Sequence, residues 1–182
     1  ASGVVTTVLS NDNIPSTREG FPRTVADVNR DGFEDVLAET GSGVVVLPGN
    51  GDGTLGAPRT VLNVDPTFVR VADMDGDGHR DVVIGEEGES LHIVPGNGDF
   101  TFRPAVTMTT GTWPHGVTVA DFNDDDRPDV AVANRYDIRL VVFRNDGGLM
   151  FTRSDIVLDH PSNDVTARDL NGDGHVDLAA TV

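Results

Sequence analysis

Residues 72–82 read Ala72-Asp-Met-Asp-Gly-Asp-Gly-His-Arg-Asp81-Val82, and this stretch decides the fold because it returns. Its copies are Ala26-Asp-Val-Asn-Arg-Asp-Gly-Phe-Glu-Asp35-Val36, Ala120-Asp-Phe-Asn-Asp-Asp-Asp-Arg-Pro-Asp129-Val130 and Arg168-Asp-Leu-Asn-Gly-Asp-Gly-His-Val-Asp177-Leu178. The leading aspartates Asp27, Asp73, Asp121 and Asp169 are spaced by 46, 48 and 48 residues. A second motif keeps the same phase: Pro48-Gly-Asn-Gly-Asp-Gly53, Pro95-Gly-Asn-Gly-Asp99 and the looser Arg144-Asn-Asp-Gly-Gly148. Two motifs holding register over three periods define a repeat.

Each period predicts four short strands. In the second unit they cover 68–74, 81–87, 90–96 and 105–110, where Val71, Val82, Val83, Ile84, Ile93, Val94 and Val106 supply β-branched residues between Gly, Asp and Asn clusters. No stretch carries a 3.6-residue apolar period over ten or more residues. Units of this length with four antiparallel strands predict an all-β chain, a β-propeller of about four blades. The blades are expected at about 21–64, 68–110, 116–160 and 164–182, with a leading strand at 3–10, so that residues 1–182 form one propeller segment. The third strand of the last blade is missing from this sequence. Three closures stay open: a tight ring of four, part of a larger propeller, or a ring completed by another copy. An uncovered last strand offers unpaired backbone groups to such a partner.

Composition narrows the function. The chain has 182 residues, 21 Gly, 10 Pro, no Cys and a formal charge of −17. No apolar run approaches the roughly 20 residues of a membrane span. So acidic a chain repels nucleic acid and anionic membranes and attracts cations. The opening Ala1-Ser2-Gly3 has neither a start Met nor a secretory apolar region, which reads as a processed form, an excised domain or a fragment.

The repeated loop has the form Asp-x-[Asn/Asp]-x-Asp-x-x-x-Asp. Side-chain oxygens stand at positions 1, 3, 5 and 9, and position 7 can add its backbone carbonyl. That alternation wraps a hard cation such as calcium, which takes six to eight oxygens. The side-chain ligands are Asp27, Asn29, Asp31 and Asp35; Asp73, Asp75, Asp77 and Asp81; Asp121, Asn123, Asp125 and Asp129; and Asp169, Asn171, Asp173 and Asp177. The carbonyls are those of Phe33, His79, Arg127 and His175. Thirteen of the sixteen side chains are acids, so about four Ca²⁺, one per loop, are expected to relieve their repulsion. Gly32, Gly78 and Gly174 fill position 6, where a sharp turn needs positive φ, and Asp126 stands there in the third loop, which makes that site a candidate for weaker binding. An EF-hand does not fit, because position 12 holds Ala38, Ile84, Val132 and Ala180 instead of Glu. The bland alternative is a set of Asp-Gly hairpin turns with no metal.

These loops, the Pro-Gly-Asn-Gly-Asp hairpins and a literal Gly56-Ala-Pro58 resemble the FG-GAP (VCBS-type) repeat of integrin α-subunit propellers and of many secreted bacterial and fungal proteins. The likeness spans essentially the whole chain. It implies a calcium-binding propeller, usually of seven blades, with calcium at the loop positions named above. The Phe-Gly element itself is degenerate, with Phe21-Pro, Phe68-Val and His115-Gly in its place. An extracellular, secreted location follows, since millimolar calcium there suits such sites.

Fold and metal leave the activity open. One expectation is a recognition module for a carbohydrate or protein ligand, as in the adhesion proteins and propeller lectins of the family. Its candidate contacts are Trp113 with His115 and Tyr136 with Arg135, unless Trp113 merely packs between blades. The alternative is an accessory domain of a secreted hydrolase, lyase or protease. Catalysis by the chain itself is not expected, for it has no Gly-x-Ser-x-Gly elbow, no Cys and no His-Glu-x-x-His.

Overall fold

The structure, a computed structural model, describes residues 22–182. The strand expected at 3–10, and Phe21, lie outside them. Fourteen strands follow: β1 (Pro22–Ala26), β2 (Asp35–Thr40), β3 (Gly43–Leu47), β4 (Arg59–Leu62), β5 (Pro66–Ala72), β6 (Asp81–Glu86), β7 (Ser90–Val94), β8 (Val106–Thr109), β9 (Pro114–Ala120), β10 (Asp129–Asn134), β11 (Arg139–Gly147), β12 (Met150–Val157), β13 (Val165–Arg168) and β14 (Asp177–Ala180). They form three four-stranded antiparallel sheets, β1–β4, β5–β8 and β9–β12, each with its strands side by side in chain order, and a two-stranded sheet β13–β14. These are the blades of a β-propeller. First strands touch first strands in succession, β1 to β5, β5 to β9 and β9 to β13.

Stacking explains the apolar pattern. A middle strand is covered on both faces, so it needs a continuous apolar run and not an alternating one. Val82, Val83 and Ile84 of β6 are fully buried, and so are Val130, Ala131, Val132 and Ala133 of β10. Odd and even residues serve different interfaces. Val82 and Ile84 pack with Leu37, Val44 and Val46 of the first blade. Val83, Leu91 and Ile93 pack with Val117, Val130, Val141 and Phe143 of the third. The outermost strand has one free face, and β12 is accordingly exposed along most of its length.

The first strand of each four-stranded blade departs from plain pairing near its start. The register shifts between Pro22 and Thr24 in β1, between Pro66 and Phe68 in β5, and opposite Ala133 and Asn134 in β9. A bulge twists the strand it interrupts. Proline is tolerated at the first residue of a strand, where a missing ladder donor costs least.

The interface between the second and third blades carries a polar bolt. Asn145 is fully buried at the end of β11. Its Nδ2 donates to the Met74 carbonyl at 2.6 Å, across the blade boundary, and to the Pro128 carbonyl at 3.1 Å. In the other two full blades the corresponding residue is glycine. A Cβ on Gly49 or Gly96 would stand 2.2 Å from the Glu34 or Arg80 carbonyl oxygen. The third blade turns that close approach into a hydrogen bond. Asn145→Ala leaves two carbonyls without this donor and is expected to cost about 2–3 kcal/mol in urea unfolding. A loss under about 0.5 kcal/mol would show the bolt to be dispensable.

Candidate metal centre and aromatic shelf

In each sheet the turn between the first and second strands and the turn between the third and fourth lie at one end. The turn between the second and third strands, and the connection to the next blade, lie at the other. The acidic loops and the Pro-Gly-Asn-Gly hairpins therefore share one pole, and Trp113 and Tyr136 lie at the opposite pole.

The four acidic loops are built alike by their own hydrogen bonds. The position-6 amides of Gly32, Gly78, Asp126 and Gly174 donate to Oδ2 of Asp27, Asp73, Asp121 and Asp169 at 2.9, 3.0, 2.7 and 3.0 Å. The position-7 amides of Phe33, His79, Arg127 and His175 donate to Oδ1 of Asp31, Asp77, Asp125 and Asp173 at 2.9, 2.8, 3.0 and 2.9 Å. Position 3 accepts the position-5 amide in three loops, through Asn29, Asp75 and Asn171. Position 6 has φ of 90°, 88° and 90° at Gly32, Gly78 and Gly174 and 62° at Asp126. Asp is among the few side chains that adopt this conformation readily. Position 4 is left-handed as well, at Arg30, Gly76, Asp124 and Gly172, a demand that the mixed residues there conceal in the sequence.

The ninth-position aspartates behave differently from the rest. Asp35, Asp81 and Asp129 are buried. Each takes one amide from the end of the first strand and one from the end of the third. Val28 and Gly49 donate to Asp35 at 2.7 and 2.8 Å, Met74 and Gly96 to Asp81 at 2.7 and 2.9 Å, and Phe122 and Asn145 to Asp129 at 3.1 and 2.7 Å. Asp177 takes the Leu170 amide at 2.9 Å and stays partly exposed. Asp35, Asp81 and Asp129 thus each tie three strands of their blade together, and each oxygen keeps a further lone pair for a cation.

The side chain at position 7 joins the two loop motifs. A Cβ on Gly51 would stand 2.2 Å from the Phe33 ring, and one on Gly98 would stand 2.4 Å from the His79 ring. Glycine in the hairpin is therefore what lets the position-7 ring lie against it. This contact accounts for the shared phase of the two motifs.

The donor set fits a hard cation. Carboxylate oxygens of Asp73, Asp75 and Asp81 lie within 4.8 Å of one another, and every side-chain donor in the four loops is oxygen. Asp73, Asp75, Asp77 and Asp81 are the groups that would hold such an ion in the second loop, and the matching residues would do so in the others.

At the far pole the structure joins what the sequence left as two pairs. The Trp113 and Tyr136 rings meet edge to face, with centroids 5.9 Å apart and planes at 72°. The Arg135 guanidinium stands 5.6 Å from the Tyr136 ring centre. Backbone bonds fix the arrangement: the Trp113 amide donates to the Gly88 carbonyl at 2.7 Å, and the Arg135 amide to the Trp113 carbonyl at 2.9 Å. Trp113 itself holds φ of 61°. Tyr136 is 62% exposed and Trp113 half-buried, so the pair forms a shelf open to solvent at the junction of the second and third blades. His115 points elsewhere, its Nδ1–H donating to the Asn163 carbonyl at 2.9 Å.

Three overlapping matches to the FG-GAP-like repeat cover residues 27–84, 73–132 and 121–180. The chain belongs to the FG-GAP-like repeat family. Each match begins at the first aspartate of one acidic loop and runs past the next loop, so the matches start one blade period apart and each spans a period plus the following loop. No curated protein matches the chain. Among solved structures it resembles a lectin of Agrocybe aegerita that recognises non-reducing terminal N-acetylglucosamine, with 26% identity and a TM-score of 0.63. The match covers 87% of this chain and 46% of the lectin, so the chain spans less than half the lectin's length. No helix among the described residues is long and apolar enough to cross a membrane.

Charge in the loops sets a pH dependence. Burial pushes the Asp35, Asp81 and Asp129 carboxyls above the usual carboxylate range, against the pull of their backbone donors. Their folded forms hold protons over a range where the unfolded chain has released them. The stability they contribute is present below the ordinary carboxylate value and is lost as pH rises through the folded value. His175, raised by its hydrogen bond to Asp124, works in the same sense around the histidine range. Asp169 and Asp173, lowered chiefly by backbone amides, lose their contribution only as pH falls below about 4. In chelator, the thermal midpoint is therefore expected to be higher at about pH 5 than at about pH 8. A flat or reversed profile contradicts this assignment.

Proposed function

We propose that the chain is a calcium-stabilised extracellular propeller module that recognises carbohydrate, with the ligand on the Trp113–Tyr136 shelf and calcium in the acidic loops. The shelf carries the reading. Sugar rings bind through their apolar C–H faces on exposed aromatic rings, with polar and charged neighbours fixing the hydroxyls. Trp113 and Tyr136 provide the rings, and Arg135 provides a planar donor beside them. The likeness to a lectin propeller supports the same class of ligand.

Calcium has a structural part in this reading. It neutralises the carboxylates that crowd each loop and stiffens the blade from the pole opposite the shelf. Metal and ligand then act at different ends, and the ion supports the blades without contacting the sugar. Further blades, from a longer chain or from another copy, complete the ring beyond β14, in line with the 46% coverage of the lectin.

The test is a glycan array with wild type and Trp113→Ala, each in calcium and in chelator. Wild type is expected to bind a defined glycan class in calcium. Trp113→Ala is expected to lose at least tenfold in affinity, about 1.4 kcal/mol, while keeping its melting temperature within a few degrees. Chelator is expected to lower the melting temperature of both proteins, and added calcium to restore it. Binding unchanged by Trp113→Ala removes the shelf from the account, and melting indifferent to chelator removes the calcium.

A further inference from the structure

The second acidic loop differs from its three copies in one ligand. Position 3 is Asn29, Asn123 and Asn171 in the others and Asp75 here, so this loop holds four carboxylates where the others hold three. It is also the loop in which three carboxylates close to within 4.8 Å. Like charges at that range repel strongly unless something compensates.

Arg103 compensates. It lies on the segment between β7 and β8, and its Nη2 donates to Asp75 Oδ2 at 2.6 Å and to Asp77 Oδ2 at 3.0 Å. One guanidinium thus bridges positions 3 and 5. The rest of the head is poorly satisfied, for its Nε is buried without a hydrogen-bond partner. The first blade has no equivalent. Leu55 and Phe102 occupy matching bridges, to Gly49 and to Gly96, and the residue after Leu55 is Gly56. In the third loop Arg127 bonds Asp125, but from within the same loop, and only three of that loop's acids, Asp121, Asp125 and Asp129, stand at ligand positions. The extra carboxylate and the extra cation therefore occur together, and the shorter of the two bonds falls on Asp75.

We propose that Arg103 is a resident counter-ion of the second acidic loop, which a divalent cation must displace from Asp75 and Asp77 in order to bind there. The proposal rests on the reading of the loops as calcium sites. Arginine offers donors and no acceptor, so the two carboxylates cannot serve guanidinium and metal with the same lone pairs. The side chain is long enough to swing aside, and its partly exposed head can be rehydrated. With Arg103 in place, the fourth carboxylate is cancelled and the loop carries the charge of its neighbours. With Arg103 displaced, the loop offers the densest set of hard ligands in the chain. The second site is then the one that responds most steeply to calcium concentration and to salt.

Calcium calorimetry and thermal unfolding in chelator test this on wild type, Arg103→Gln, Asp75→Asn, the double variant and Arg139→Gln. Arg139 pairs with Asp137 and Asp155 at the other pole and controls for net charge. Arg103→Gln is expected to tighten one calcium site about threefold to tenfold. It is also expected to lower the melting temperature in chelator, where Asp75 and Asp77 lose the guanidinium that bridges them and only Arg30, 3.9 Å from Asp73, stays beside the loop's carboxylates. Both effects are expected to shrink in the Asp75→Asn background and to be absent in Arg139→Gln. An Arg103→Gln isotherm that superimposes on wild type overturns the proposal and leaves the calcium reading standing. Equal tightening by Arg139→Gln overturns it too, since net charge then suffices. Wild type that binds no calcium overturns both.

Discussion

A buried carboxylate accepting two backbone amides holds each four-stranded blade together. Asp35, Asp81 and Asp129 have the same role at the same point of three sheets, one oxygen taking an amide from the first strand and the other an amide from the third. A β-sheet ladder satisfies amides along the strands and leaves the ends to be met by something else. Here a side chain meets them. An unpaired carboxylate at such depth is costly, and two amide donors offset much of that cost. The acidic loop is the segment that must turn back to deliver this residue, so its shape and the pairing of the blade are set together.

The consequences run outward to both poles. At one end, the loop that delivers position 9 carries the side-chain oxygens of positions 1, 3 and 5 to the same pole, and in the second loop carboxylate oxygens of Asp73, Asp75 and Asp81 lie within 4.8 Å of one another. At the other end, the pairing of β9 with β10 brings Trp113 and Tyr136 together, and the bond from the Trp113 amide to the Gly88 carbonyl ties the shelf to the second blade. The bolt from Asn145 to the Met74 carbonyl crosses the same pair of blades and ties their relative position to the acidic pole. Metal, blade packing and ligand surface are thus parts of one mechanical chain in this reading.

Much of the fold is legible in the sequence because it is local and repeated. Asp, Gly and Asn at fixed offsets mark the loops four times over, and short β-branched runs between them mark the strands. The second strands begin at Asp35, Asp81, Asp129 and Asp177, which are the ninth positions of the motif. What could not be read is what depends on side-chain contacts between segments distant in sequence, within a blade or across two. Trp113 and Tyr136 are far apart in sequence, and no periodicity says that their rings touch. Arg103 reaches Asp75 across an entire hairpin, and Asn145 sits in the least regular copy of the second motif. The dual use of position 9, as a buried tie and a candidate ligand, is also invisible, because a buried Asp and an exposed Asp are the same letter. The one available signal was the run of apolar residues that directly follows each of them.

The most direct measurement is amide hydrogen exchange at single-residue resolution on the metal-free chain. The amides of Val28, Gly49, Met74, Gly96, Phe122 and Asn145 all lie at strand ends or in loops, where exchange is ordinarily fast. Bonded to buried carboxylates, they are predicted to exchange as slowly as the middle strands β6 and β10, and Asp81→Asn is predicted to release Met74 and Gly96 selectively. Exchange of these six amides at the rate of the exposed Asp31 and Asp173 amides would contradict the account.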